Sequence, residues 1–168
     1  MLALQMAHSV SRTGNVLSLR QEQKEGGKYG GGSMSRSGYS TDLDNWELIK
    51  WRGQVASAIR GKRGQEFLFG LLSALDAMPN KALITDALET PDGDVCAIGA
   101  LGKVLSLDMS KLDPEEPESV AAAFNIAPQL AQEIVWENDE AGAHNETPEQ
   151  RWQRMRNWVA RNICGEAA

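Results

Sequence analysis

The sequence predicts a mainly α-helical domain of about five helices, with room for a small two-stranded β-ribbon, behind a flexible N-terminal tail. Three observations carry that prediction. Apolar residues recur at spacings of three and four across residues 46–78 and 152–163, prolines stand beside acidic or capping residues where helices begin, and a Gly/Ser-rich stretch ends where these patterns start.

Residues 1–40 form the predicted tail. They pass through Gln21-Glu22-Gln23-Lys24-Glu25 into Gly26-Gly27-Lys28-Tyr29-Gly30-Gly31-Gly32-Ser33, which cannot bury enough apolar area to offset the entropy of ordering it. Met34 follows that run directly and is a candidate internal start. The helical domain is expected over 41–164.

Asp44 can cap the first helix, with Glu47 three residues on, the spacing of a capping box. Two adjoining stripes, Trp46, Ile49, Gly53, Ala56 and Leu48, Val55, Ile59, predict a broad buried face, and Gly53 predicts close approach by a neighbouring helix. Gly61 suits a left-handed helix stop. A second helix carries Phe67, Leu68, Leu71, Leu72, Leu75 and Met78 up to Pro79, so residues 45–78 are expected to form an αα-hairpin. Residues 82–84 and 95–98 are apolar and flank Thr90-Pro91-Asp92-Gly93-Asp94, which predicts the ribbon, with a helix over 82–88 as the alternative. Pro114, Pro128 and Pro148 each suit a first helical position, where a missing N–H costs nothing, and predict helices near 114–124, 128–138 and 148–163.

Hydrophobic residues at 42% provide for a core without a metal or disulfide staple, and a net charge of −6 disfavours general nucleic-acid binding. Cys96 and Cys164 are the only cysteines and form no C-x-x-C pair, which fits a reducing compartment. The first residues lack the basic and apolar regions of a secretory signal, and no run approaches the ~20 apolar residues of a membrane span. The expected location is the cytoplasm, with no membrane association.

Two charged regions are candidates for contact with a partner. Between 108 and 149 there are eleven carboxylates against Lys111 alone. Within that region Glu133, Glu137, Asp139 and Glu140 are the candidate docking residues for a basic protein surface, the alternative being a solvated or internally paired face. Conversely, Lys50, Arg52, Arg60, Lys62 and Arg63 surround a glycine-punctuated turn that could contact phosphates, or simply carry solvated charge near a helix end. It is not a nucleotide P-loop, because Arg63 stands where that pattern needs Ser or Thr.

Residues 120–135 have the form of a helix-turn-helix. Their second helix runs into Glu133, Glu137, Asp139 and Glu140, which DNA repels, so two packed core helices are expected instead. All five tryptophans fall in predicted helices. Trp51 and Trp158 lie off the main apolar stripes beside arginines, the composition of an interface hot spot, and join the protein-binding candidates. Asp139, Glu140, His144 and Glu146 match no metal-ligand spacing, and neither His8 nor His144 belongs to a nucleophile or cofactor motif. No catalytic residue, metal or cofactor is therefore predicted.

Ser35-Arg36-Ser37-Gly38-Tyr39-Ser40, Asp44-Asn45-Trp46, Trp51-Arg52-Gly53, Ala58-Ile59-Arg60-Gly61-Lys62-Arg63-Gly64-Gln65 and Glu146-Thr147-Pro148-Glu149-Gln150-Arg151-Trp152 together resemble a group of small phage and prophage proteins of unassigned function. The resemblance covers about 35–163. It implies a phage-encoded protein in a bacterial cytoplasm, and carries over no activity or fold. The leading expectation is a non-enzymatic accessory protein that binds a host or phage protein, as an inhibitor of a defence or regulatory factor. The alternatives are a nucleic-acid-associated regulator using the basic turn, and an enzyme with an unrecognised carboxylate site.

Overall fold

The computed structural model describes residues 45–164, all within one compact unit. The tail and the proposed Asp44 cap lie outside the described residues. Six α-helices occur among the described residues, in order: α1 (Asn45–Arg60), α2 (Lys62–Ala77), α3 (Ala97–Val104), α4 (Pro117–Phe124), α5 (Pro128–Asp139) and α6 (Pro148–Asn162). A short 3₁₀ turn, Met109–Lys111, precedes α4.

The expected αα-hairpin is present, but its corner is built differently. Gly61 is not left-handed. It has φ −66° and ψ 150° and serves as the N-cap of α2, so a single extended residue turns one helix into the next. The close approach is made by Gly64 rather than Gly53: a Cβ at Gly64 would run into the Ala58 carbonyl, whereas one at Gly53 would meet nothing within 4 Å. Gln65 then ties the corner to the far end of the chain. Its amide nitrogen donates to the carbonyls of Ile59 at 2.7 Å and Asn162 at 3.0 Å, and its oxygen accepts from the Cys164 amide at 2.7 Å.

The core is organised around α2 and α5. Leu68, Leu71 and Leu75 of α2, Ile98 of α3, Val120 of α4, Leu130 and Ile134 of α5, and Met155 and Val159 of α6 are fully buried together with Leu83. At roughly 1.5–3 kcal/mol for each large apolar side chain, this burial is the main term opposing chain entropy. α2 packs against α1, α3 and α6, while α5 packs against α1, α3, α4 and α6. As the sequence suggested, 120–135 is a pair of packed helices joined by a tight turn, with Asn125 left-handed at φ 54°.

The ribbon reduces to one antiparallel bridge between Glu89 and Val95, and no strand occurs among the described residues. The Asp92-Gly93 turn is real, with Gly93 at φ 88° and Thr90 N–H donating to Asp94 at 2.8 Å. Residues 82–88 are not helical either. The apolar run expected to supply the second strand is instead α3, capped by the Cys96 sulfur, which accepts from Gly99 N–H. Burial pushes the Cys96 thiol up to about 12, so it is an inert part of the core. The fourth helix begins at Pro117, not Pro114, while the starts at Pro128 and Pro148 are as expected. Thr147 and Gln150 form a complete capping box ahead of α6.

Candidate interaction surface

The acidic candidates on α5 are drawn into the fold. Glu133 is buried at 7% exposure and cannot form part of a docking face. Glu137 is half-buried and 3.7 Å from Arg154. Asp139 is half-buried and accepts from the Asp86 amide at 3.3 Å and from Asn138 Nδ2 at 2.6 Å. Of the four, only Glu140 is exposed.

Arg154 of α6 explains much of this. Its guanidinium holds Glu146 through two 2.7 Å hydrogen bonds and also donates to the Glu137 and Asn138 carbonyls, so it caps the C-terminal end of α5. Gly142 makes room for the pair, since a Cβ there would collide with the Glu146 carboxylate. Arg151 adds a second cation 3.6 Å from Glu146 and donates to the Leu83 carbonyl at 2.8 Å. The Arg154 hydrogen bonds hold Glu146 below the ordinary carboxylate range. Burial raises Glu137, and Arg154 and Arg161 only partly offset it. Asn138, at 2% exposure, completes the junction by accepting from Ala97 N–H at 3.1 Å and donating to the Ile84 carbonyl at 2.8 Å. Both shifted carboxylates lie beside Arg154, and structural ion pairs of this kind perturb titration by themselves.

The tryptophan candidates are also reassigned. Trp158 is buried at 7% exposure, because the inward face of α6 is wide enough to take it along with Met155 and Val159. Trp51 is half-buried on the inner stripe of α1 formed by Leu48, Trp51, Val55, Ala58 and Ile59. The other stripe expected to be buried, Trp46, Ile49, Gly53 and Ala56, turns outward instead, with only Ala56 half-buried. Trp46 is 65% exposed and Ile49 59%. At about 100° per residue these two share one face of α1 with Lys50, Gly53, Ser57 and Arg60. Trp46 is exposed although its stripe predicted burial, because apolar spacing identifies a face but not whether another element covers it.

The five basic candidates, Lys50, Arg52, Arg60, Lys62 and Arg63, are all exposed. Two of them, Lys62 and Arg63, line a pocket of about 450 Å³ at the end of α1 together with Gln54, Ser57, Gly61 and Gln129, and no carboxylate is among its lining residues. Arg63 is steadied by Asn125 Oδ1 at 3.3 Å. Lys62 lies 3.9 Å from Glu66, both in solvent, a contact of little strength. α2 and α5 both begin at this pocket, and neither N-cap residue, Gly61 or Ala127, makes a side-chain cap hydrogen bond. These two helix starts contribute positive potential, opposed by the carbonyl end of α1, whose Ser57 and Ala58 also line the pocket.

Compared with protein families, curated proteins and solved structures, this chain matches none. Among the described residues, no group of three or more His, Cys, Asp or Glu side chains is placed to hold a metal ion. No helix among them is long and apolar enough to cross a membrane.

Proposed function

We propose that this chain is a non-enzymatic, phage-type accessory protein of the bacterial cytoplasm that acts by binding another protein, with the outward face of α1 and the adjoining corner as its interface. Inhibition of a host defence or regulatory factor is the role this reading carries. The observation supporting it is the exposure of Trp46 and Ile49 on one helix face beside Lys50 and Arg60. Large apolar side chains next to cations are the usual makeup of an interface hot spot. The acidic α5 surface named from the sequence is withdrawn from this role, since its carboxylates mostly serve the fold.

The test is capture of partners by the full chain from bacterial lysate, with and without nuclease, alongside the double variant Trp46→Ala/Ile49→Ser. A stoichiometric protein that resists nuclease and is lost with the double variant is the expected result. Loss of every partner on nuclease treatment would instead favour a nucleic-acid regulator. That second reading is supported by the acid-free pocket at the basic corner, and it requires affinity that falls steeply with salt.

A further inference from the structure

The outward face of α1 is polarised along its length. Its beginning is apolar, with Trp46 and Ile49 exposed, and its end is cationic, with Arg60 followed by Lys62 and Arg63 at the pocket. Between them, Gly53 leaves an open notch, with nothing within 4 Å of where its Cβ would stand. Glycine in an exposed helix interior costs about 1 kcal/mol relative to alanine, and a missing side chain lets a second backbone come close. From Trp46 to Arg60 the face runs for about 20 Å, the length of roughly four helical turns.

We infer that this face receives an acidic amphipathic helix of a partner protein, its apolar stripe lying on Trp46, Ile49 and Gly53 and its carboxylates reaching Lys62 and Arg63. The inference rests on the reading of α1 as a protein interface and adds the chemistry and direction of the partner segment. Charge complementarity selects the carboxylates: the pocket at the cationic end is lined by Lys62 and Arg63 and has no acid in its lining. The apolar end selects protein over duplex nucleic acid, because a phosphate backbone would engage the basic corner and leave Ile49 in water. A helix laid in a groove reads its partner through apolar anchors at i, i+3, i+4 and i+7, which fits an exposed face about four turns long.

The experiment uses the full chain against immobilised helical peptides of about 16 residues in three classes. One has an apolar stripe with glutamates, one the same stripe with lysines, and one the glutamates without the stripe. Only the first class is expected to bind. Trp46→Ala/Ile49→Ser and Lys62→Glu/Arg63→Glu should each weaken it about tenfold or more. The charge reversal should also shift preference toward the lysine class. Thermal melting of both variants checks that they fold. Equal binding of the lysine class, binding that survives the charge reversal, failure of every class, or equally tight competition by duplex DNA would each overturn the inference. A lysate partner lost with Trp46→Ala/Ile49→Ser but kept by Lys62→Glu/Arg63→Glu would overturn it while leaving the proposed function standing. A partner kept by both variants would overturn the two together.

Discussion

The α5–α6 junction and the α1–α2 corner carry charge of opposite sign and use it in opposite ways. At the junction, Glu137 and Glu146 face Arg151 and Arg154, and the guanidinium that neutralises them also satisfies the end of α5. On α1 and at the corner, Lys50, Arg52, Arg60, Lys62 and Arg63 stand in solvent, the last two lining a pocket. Of the eleven carboxylates between 108 and 149, Glu133, Glu137, Asp139 and Glu146 are drawn into the fold, and the others are exposed. A charged region becomes a candidate contact surface only after the pairs that hold the fold together have been subtracted.

If the junction is structural, breaking it should cost more than any change at the corner. The largest effect is expected for Asn138→Ala, which strands the Ala97 N–H and Ile84 carbonyl in a buried site and should lower stability by about 3 kcal/mol in urea unfolding. Glu146→Gln should cost about 2 kcal/mol at neutral pH, because it leaves Arg154 half-buried with a weakened partner. Glu146 titrates below its ordinary value, so its ionised form stabilises the protein above the unfolded carboxylate pKa. That contribution is lost as pH falls through the depressed folded value. Glu137, raised by burial, works in the opposite sense: its contribution is present at low pH and is lost as pH rises through the raised folded value. The penalty of Glu146→Gln should therefore shrink on acidification, and a pH-independent penalty would count against the ion pair.

How much of this was legible depended on whether a feature is local. Pro128 and Pro148 marked true helix starts because a missing N–H and a following apolar stripe are read within one turn. Pro114 misled because Pro117 is equally suited to a first helical position, and the burial of Val120, Ala121 and Phe124 decides between them. The run 95–98 was read as a strand because a short, wholly apolar segment has no periodicity to betray the start of a buried helix. Trp46 and Trp158 exchanged places for a related reason: both lie on helices, but only tertiary packing covers one and leaves the other bare. Asn138 was invisible as a buried polar group, since its partners come from the non-helical segment at Ile84 and from the start of α3 at Ala97.

The corner offers smaller and sharper tests. Gly53→Ala should stabilise the protein by about 0.5–1 kcal/mol in thermal melting, since the new methyl meets nothing, yet it should weaken partner binding by filling the notch. Stability and binding moving in opposite directions would separate an interface glycine from a merely tolerated one. Smallest of all, Lys62→Glu/Arg63→Glu should change stability by no more than about 0.5 kcal/mol, and a larger loss would mean that the corner, like the junction, is tied into the fold.

The Gln65 linkage bears on how the chain is made. Residues 59–65 leave the ribosome well before the Asn162 carbonyl and Cys164 amide that Gln65 bonds, the two being 97 and 99 residues further along. During synthesis the α1–α2 turn therefore exists before the groups that fasten it. Proteolytic trimming of the last turn of α6 would return Gln65 to that nascent condition, and would loosen from the far end of the chain the corner that carries Lys62 and Arg63.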